Sequence, residues 1–498
     1  MPVADYEVVI GLEVHCQLKT ATKMFTRCAY AVGAEPNTQV DAYTLGLPGT
    51  LPVPNQRAVE FALRLALAAG CEVQASSRWA RKHYFYPDLP KGYQITQSDH
   101  PYALAGSIEI PDPAKGELAT KRIRLHRIHM EEDAGKNTHV LGEEISLVDY
   151  NRAGVPLVEI VSEPDIRSAA EAADYMRELR TIVRYLDISD ANMEEGTLRC
   201  DANVSLRRWG SEAFGTRCEI KNLNSFKFLE AAIGAEIRRQ ADLLDQGQRV
   251  VQSTMSYDPA KDLTRVMRTK EAAADYRYFP EPDMPPLLID AAMLAAAKAE
   301  LVELPWDRRR RYVGLGLSAY DAGVLTAELA LARFFDRALE LAGEGAAKQV
   351  CNWLTADLLG LLNADSRGLA ESPIGPQVVA EIVELVEREV ISRRSAKEVF
   401  EKAYREASAG AASSPKAIVE RDGYVQVSDD GAIEAMVREI VDANPAQLEQ
   451  LLSGKDKIRG FFVGQVMKRS QGQANPAVVN AVLDRVVEAV RNQRGSPP

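Results

Sequence analysis

Residues able to carry charged chemistry recur along this sequence at the spacing of a β-strand. From Leu198 to Arg207, the apolar Leu198, Cys200, Ala202, Val204 and Leu206 alternate with Arg199, Asp201, Asn203, Ser205 and Arg207. Successive strand side chains point to opposite faces, so one face is core and the other polar. After a loop containing Gly210 and Gly215, Cys218 and Ile220 alternate with Arg217, Glu219 and Lys221. Two such strands form a hairpin whose charged faces lie on one side, gathering Arg199, Asp201, Glu219 and Lys221 into one patch. An antiparallel sheet with one wet face gives the same alternation. Asp and Asn, however, are poor strand residues, and a local rule broken inside an element marks the place where a functional site is expected.

Three further stretches extend the patch. Between Tyr6 and Leu18, Val8, Ile10, Leu12, Val14, Cys16 and Leu18 share one face, and Gly11, Glu13, His15 and Gln17 the other. That puts a carboxylate and an imidazole within reach of one cation. Arg124 to Lys136 brings two more histidines and three successive acids, and Glu159 sits in an otherwise apolar strand. A buried, unpaired carboxylate is costly, so Glu159 is expected to have a cation partner. Glu13, Glu132, Glu159, Asp201 and Glu219 as oxygen ligands, with His15 as a nitrogen donor, suffice for one or two hard divalent ions. Mg²⁺ fits best, because no thiolate cluster selects zinc. Residues 82–97, KHYFYPDLPKGYQITQ, read as an irregular binding loop. Rings such as Tyr84 can hold a nucleobase, and Lys82 or Lys91 can meet a phosphate; an aromatic loop packed as a lid is the equal alternative.

Helices must back these strands. An amphipathic helix is expected from about Gln56 to Ala69, and another from Ser168 to Leu186, opened by the capping box Ser168 to Glu171. A third, capped by Asn224 or Ser225, should run to about Leu244. Thr264 to Asp283 adds cations at Arg265, Arg268, Lys270 and Arg277. Pro280, Pro282, Pro285 and Pro286 then mark a boundary. From Ala291 to about Ala407 the periodicity is helical, a small-residue linker follows to Pro415, and the tail carries a short Tyr424–Val427 piece and three helices, the last two joined at GQANP. The expected fold is α+β: a largely antiparallel cradle domain over 1–290, a helical domain over 291–407 and a small helical tail over 408–498.

The 498 residues, 46% hydrophobic and 26% charged, suit a globular chain of several domains. A net charge of −11 argues against a general nucleic-acid binder, since phosphate contacts need cations. Local basic surfaces stay open at Arg308 to Arg311 and at Lys455, Lys457, Arg459, Lys468 and Arg469; each is also readable as a solvated helix face. The six cysteines contain no CxxC pair, and neither a disulfide framework nor a zinc cluster is indicated. The first residues lack a basic leader and no run reaches transmembrane length, so a cytoplasmic place is expected. There is no GxxxxGK[ST] or GxGxxG phosphate loop, and no nucleophile with a recognisable base.

The motifs GLEVHCQLKT, RKHYFYPDLPKGYQITQ, HMEEDAGK, NRAGVPLVEIVSEPD, MEEGTLRCDANVSLR, EIKNLNSF, DYRYFPEPD and GFFVGQVMKRSQGQANP occur in this order between Tyr6 and about Val487. The chain thereby resembles the B-subunit family of the aspartyl/glutamyl-tRNA(Asn/Gln) amidotransferases. The resemblance implies an ATP-dependent ligase that forms a C–N bond with glutamine as amido donor. A cradle domain would use ATP and Mg²⁺ to phosphorylate the side-chain carboxylate of Glu-tRNA(Gln) or Asp-tRNA(Asn). Ammonia from the A-subunit, an amidase, bridged by a small C-subunit in a heterotrimer and led through a tunnel, would displace the phosphate. It further implies catalytic roles for Arg199, Lys221 and Asp201, a nucleotide site on Lys82, Tyr84, Lys91, Arg152, Asn203, Ser205 and Asn222, and a YqeY-like tail that binds tRNA through Lys455, Lys457, Arg459, Lys468 and Arg469.

Two departures stand out. Where some members carry four zinc-binding cysteines, this chain has Thr26, Cys28, Asp41 and Thr44, so a structural zinc is not expected. Where members commonly read QETR, it has Gln252, Ser253, Thr254 and Met255. Two other readings remain at this level: a tRNA-binding scaffold whose acidic face is a structural metal site, and a stand-alone Mg²⁺-dependent phosphotransferase for a small acid.

Overall fold

The computed structural model describes residues 5–140, 142, 144–269, 275–425, 430–470 and 473–495. Lys270, Gln426, Val427 and Gly472, named above, lie outside them. The chain forms two compact units, residues 1–310 and 311–498.

The first unit is built on a thirteen-stranded sheet. Its main path uses β1 (Tyr6–Gln17), β2 (Ala80–His83), β3 (Tyr93–Thr96), β4 (Thr120–Glu132), β5 (Pro156–Ser162), β6 (Leu198–Arg208), β7 (Cys218–Leu223), β8 (Ser253–Asp258), β9 (Leu263–Thr269) and β10 (Phe279–Pro280), in the spatial order β9-β8-β7-β6-β1-β5-β4-β3-β2-β10. Neighbours on this path are antiparallel except β7 and β8. The period-two reading of β1 and β6 holds: Ile10, Leu12, Val14 and Cys16 join Leu198, Cys200, Ala202 and Val204 in one buried core. Across it lie α1 (Gln56–Ala68), α2 (Ala169–Tyr185) and α3 (Phe226–Asp245). Asn55, Ser168 and Ser225 cap them, each side chain accepting from backbone N–H groups of the first turn. Each large aliphatic side chain so buried contributes roughly 1.5–3 kcal/mol, which holds the sheet's other face to a fixed register.

Three expectations are corrected. The stretch 82–97 is the end of a hairpin, β2 paired with β3, and its loop is confined to residues 84–92. Tyr93 and Ile95 alternate as a strand requires, a pattern masked in sequence by the two prolines beside it. The Ala291–Ala299 helix, expected to open the helical domain, packs against α1, and Met293, Leu294, Leu301 and Leu304 lie on the first core; the first unit therefore continues past the proline-rich stretch to residue 310. Beyond Tyr424 there are four α-helices among the described residues, Asp430–Ala443, Pro445–Leu452, Arg459–Arg469 and Pro476–Gly495, because Pro445 opens a separate helix.

The second unit contains two hydrophobic clusters, one from Tyr312 to Val419 and one from Ile433 to Val486. The basic run after Trp306 is structural in both units. Arg309 pairs with Glu178 at 2.8 Å and Arg310 with Asp307 at 2.7 Å in the first; Arg311 pairs with Asp336 at 3.1 Å in the second. No helix among the described residues is long and apolar enough to cross a membrane.

Candidate functional site

Strand pairing assembles the site row by row. β1 lies between β5 and β6, and the registers set His15 opposite Glu159 and Arg199, Glu13 opposite Asp201, and Glu159 opposite His129 of β4. A second row runs from Asn203 to Glu219, Thr254 and Arg268. Opposed residues on one face stand about 4.5–5.5 Å apart at Cβ, so residues far apart in sequence become neighbours. A cavity of about 500 Å³ opens over these rows. Its lining has as many lysines and arginines as carboxylates: Glu13, Glu131, Glu159, Asp201 and Glu219 against Lys82, Arg127, Arg217, Lys221 and Arg268.

At its floor two donor sets share Glu159. Glu13, His15 and Glu159 form one, and His129, Glu131 and Glu159 the other. Nε2 of His15 lies 3.3 Å from Glu159, 3.6 Å from Glu131 and 3.8 Å from Glu13. Nε2 of His129 lies 3.6 Å from Glu159 and 3.8 Å from Glu131, and this nitrogen and Oε2 of Glu131 are buried without a hydrogen-bond partner. Leaving a buried polar atom unsatisfied costs about 1–3 kcal/mol. Oxygen and imidazole donors with two such orphans suit a divalent cation, and no thiolate competes: Cys16, Cys200 and Cys218 are buried on the core face.

Mutual charge dominates this crowded site. Burial works against the His15 imidazolium, but the hydrogen bond to Glu159 and the charge of Glu131 lift it to about 9. Burial, then the charge of Glu159, pushes Glu13 above its ordinary value. Glu159 is held well below the carboxylate range, because His129 and His15 outweigh its burial. Arg127 adds a 3.3 Å contact to Glu159, the cation partner that its burial demanded. Lys221 bridges Asp201 at 2.5 Å and Glu219 at 2.9 Å, which raises it despite burial.

Of the residues expected from sequence, Glu13, His15, Glu159, Asp201, Glu219, Lys221, Lys82 and Asn203 line this cavity. Others do not. Glu132 points to the opposite side of β4, where its carboxylate pairs with the buried Lys91 and accepts from the Ile95 N–H at 3.0 Å; Glu131 takes its place. Arg199 shares the sheet face, but its guanidinium holds Asp133 at 2.9 Å. Arg152 caps the carbonyls of Ala134 and Gly135 at 2.9 and 2.6 Å. Tyr84 stacks on Tyr86, Ser205 is buried against the Val9 carbonyl, and Asn222 is an exposed left-handed residue with φ of 63°. Sequence reasoning missed His129, Glu131 and Arg127 as a set, although a signal was there: counting by twos from Ile128 and Met130 leaves those three on the polar face. Tyr276 and Tyr278 also line the cavity and had no such signal, since they lie beyond the last long strand.

Residues 8–295 match the model of the GatB/GatE catalytic domain, and 333–487 that of the GatB domain. The chain is 51% identical over 489 residues to the aspartyl/glutamyl-tRNA(Asn/Gln) amidotransferase B-subunit of Anaeromyxobacter sp. (strain K), covering 97% of this chain and 99% of that one. It is 51% identical over 484 residues to the protein of the same name from Halorhodospira halophila, with 97% and 99% covered. This chain belongs to the GatB family. Every residue of the cavity falls within the family's catalytic domain. Of the departures from the GatB pattern, Gln252, Ser253 and Thr254 line the cavity whereas Met255 is buried in the core. Thr26, Cys28, Asp41 and Thr44 are tied by hydrogen bonds: Asp41 accepts from Thr26 and from the N–H and hydroxyl of Thr44 at 2.8 and 2.7 Å, and the Cys28 N–H donates to Thr26 at 3.3 Å.

Proposed function

We propose that this chain is the B-subunit of a cytoplasmic tRNA-dependent amidotransferase, acting in a heterotrimer with an amidase A-subunit and a small C-subunit. In this reading it is an ATP-dependent ligase that uses the cavity to phosphorylate the side-chain carboxylate of Glu-tRNA(Gln), Asp-tRNA(Asn) or both. A carboxylate oxygen attacks the γ-phosphorus of ATP, the bond to the ADP oxygen breaks, and an acyl phosphate results. Ammonia released from glutamine by the amidase then attacks the acyl carbon, phosphate leaves, and the nitrogen gives up one proton.

The observation that carries this reading is the pair of buried, unsatisfied donors, His129 Nε2 and Glu131 Oε2, on a floor ringed by cations in a GatB-family chain. Mg²⁺ held by Glu13, His15, Glu131, His129 and Glu159 would neutralise charge on the transferring phosphoryl group. Lys221, fixed between Asp201 and Glu219, is placed to meet phosphate oxygens without reorganising, as is Lys82 beside Glu131 and Glu159. Burial disfavours the Lys82 cation, but Glu131, Tyr278 and Glu159 raise it, so it carries its charge at neutral pH.

The test is ATP hydrolysis by the assembled complex with and without misacylated tRNA. Hydrolysis coupled to amide formation supports the reading; a complex that binds misacylated tRNA but never consumes ATP would make the chain a scaffold.

A further inference from the structure

The cations of the cavity fall into two groups. Lys221 and Arg127 are each matched to a carboxylate of the floor, and Lys82 stands in the field of Glu131 and Glu159. Arg217 and Arg268 also line the cavity, yet both are exposed and neither has a carboxylate partner among the described residues. Arg217 precedes β7 by one residue, on the face of Glu219; Arg268 lies on β9 at the end of the row Asn203, Glu219, Thr254, Arg268. In a chain with net charge −11, two guanidiniums facing one cavity and left unmatched are positions that await an anion.

The surroundings narrow which anion. Tyr276 and Tyr278 line the same cavity, their rings 6.2 Å apart and at 76° to each other. Tyr84, stacked on Tyr86, lies close enough to Arg268 to feel its charge. Planar forks that grip phosphate oxygens in pairs, beside aromatic faces on which a base can stack, are the elements of single-stranded nucleic-acid recognition. The matched floor cations stand with the metal donors, where the phosphates of ATP have to reach. The exposed pair stands at the rim, where a chain entering from outside must pass.

Resting on the function proposed above, we infer that Arg217 and Arg268 are positioning residues that grip backbone phosphates of the single-stranded 3′ end of the aminoacylated RNA, with Tyr276 and Tyr278 as the wall for its base. ATP offers the same nucleotide chemistry and is the alternative that the experiment separates.

The experiment uses the assembled complex carrying the full chain with Arg217→Ala, Arg268→Ala or both. Two quantities are read: steady-state KM for misacylated tRNA and for ATP, and direct binding of a fluorescent aminoacylated minihelix by anisotropy at several salt concentrations. Each single change should raise KM for the tRNA and weaken the minihelix roughly tenfold, lower the log-log salt slope by about 0.7 per lost contact, and leave KM for ATP within about twofold. Arg→Lys should restore part of the affinity, since a point charge replaces the fork. A rise in KM for ATP with unchanged minihelix binding would overturn the inference in favour of ATP, and no change in either would show the pair to be merely solvated. The binding measurement needs no turnover, so it judges the rim even if the phosphorylation reading fails; that reading fails separately, on ATP use by the wild-type complex.

Discussion

The cavity of the first unit and the tail of the second handle the same kinds of side chain in opposite ways. In the cavity, charges lie on and beside strands, those of the floor buried or half-buried, and two donor atoms there have no hydrogen-bond partner. In the tail, the expected cations lie on or beside helices and are exposed or half-exposed, and two of the five expected to bind tRNA are already tied. Arg459 pairs with Asp484 at 2.5 Å and Arg469 with Glu439 at 2.8 Å. Lys455, Lys457 and Lys468 are exposed, with no ion pair among the described residues. Surface pairs contribute only about 0–1 kcal/mol and yield readily to a phosphate, whereas a buried polar atom left without a hydrogen bond costs about 1–3 kcal/mol and persists only where the surrounding fold enforces it. Burial, more than residue type, separates a reaction centre from a docking surface.

The sharpest way to break this comparison is at adjacent residues of β4. Glu131→Gln should lower ATP-dependent amidation by about 10²-fold or more while leaving the unfolding midpoint within a few degrees. Glu132→Gln should do the reverse, costing about 3–5 kcal/mol in urea unfolding because it strands the buried Lys91. Equal stability losses for both would sink the distinction between the two faces.

A buried carboxylate outside the cavity supplies the control. Glu236 of α3 accepts from Arg239, Gln240 and Thr264 at 2.6–2.9 Å. Burial works against its charge, but those hydrogen bonds outweigh it and hold the carboxyl below its ordinary value of 4.5. With the folded value depressed, its stabilisation is fully present above the unfolded value and lost as pH falls through the folded one. Urea unfolding of the first unit should therefore weaken below about pH 4.5, and Glu236→Gln should flatten that limb with no effect on KM for ATP. A limb unchanged in the variant would refute the assignment.

Asp201→Asn and Glu219→Gln test whether Lys221 works as one unit with its two anchors. Each should reduce amidation, and the double variant should be little worse than either single, since residues acting together are non-additive. Additive losses would mean separate roles.

The smallest effects belong to the tail. Charge reversal at Lys455 or Lys457 should lower the salt slope of tRNA binding by roughly 1 each, and Arg459→Ala by less, because Asp484 already occupies its guanidinium. Equal slopes for the paired and unpaired cations would show that the tail's own ion pairs do not matter to binding.

Much of this was readable in the chain. The alternation of β1 and β6 fixed which face carries Glu13, His15, Asp201 and Asn203, because a strand's period of two leaves no choice once one face is apolar. Ser168 announced its helix, and Asn224 or Ser225 the next, with the structure choosing Ser225, since side-chain oxygens at these positions satisfy the first backbone donors of a helix. Family membership was legible in long ordered motifs. Tertiary pairing alone decided the rest. Three acids in a row at Glu131, Glu132 and Asp133 take opposite faces only once β5 sets Glu159 against His129, so the ligand on the floor depends on a neighbour some thirty residues away in sequence. Arg268, Tyr276 and Lys82 converge because the two ends of the sheet path face one cavity, and Arg199 is drawn off to Asp133 by an ion pair that local spacing cannot express. Local periodicity assigns a side chain to a face; which faces meet is set by long-range registers, whose energy comes from burying the other side of the sheet.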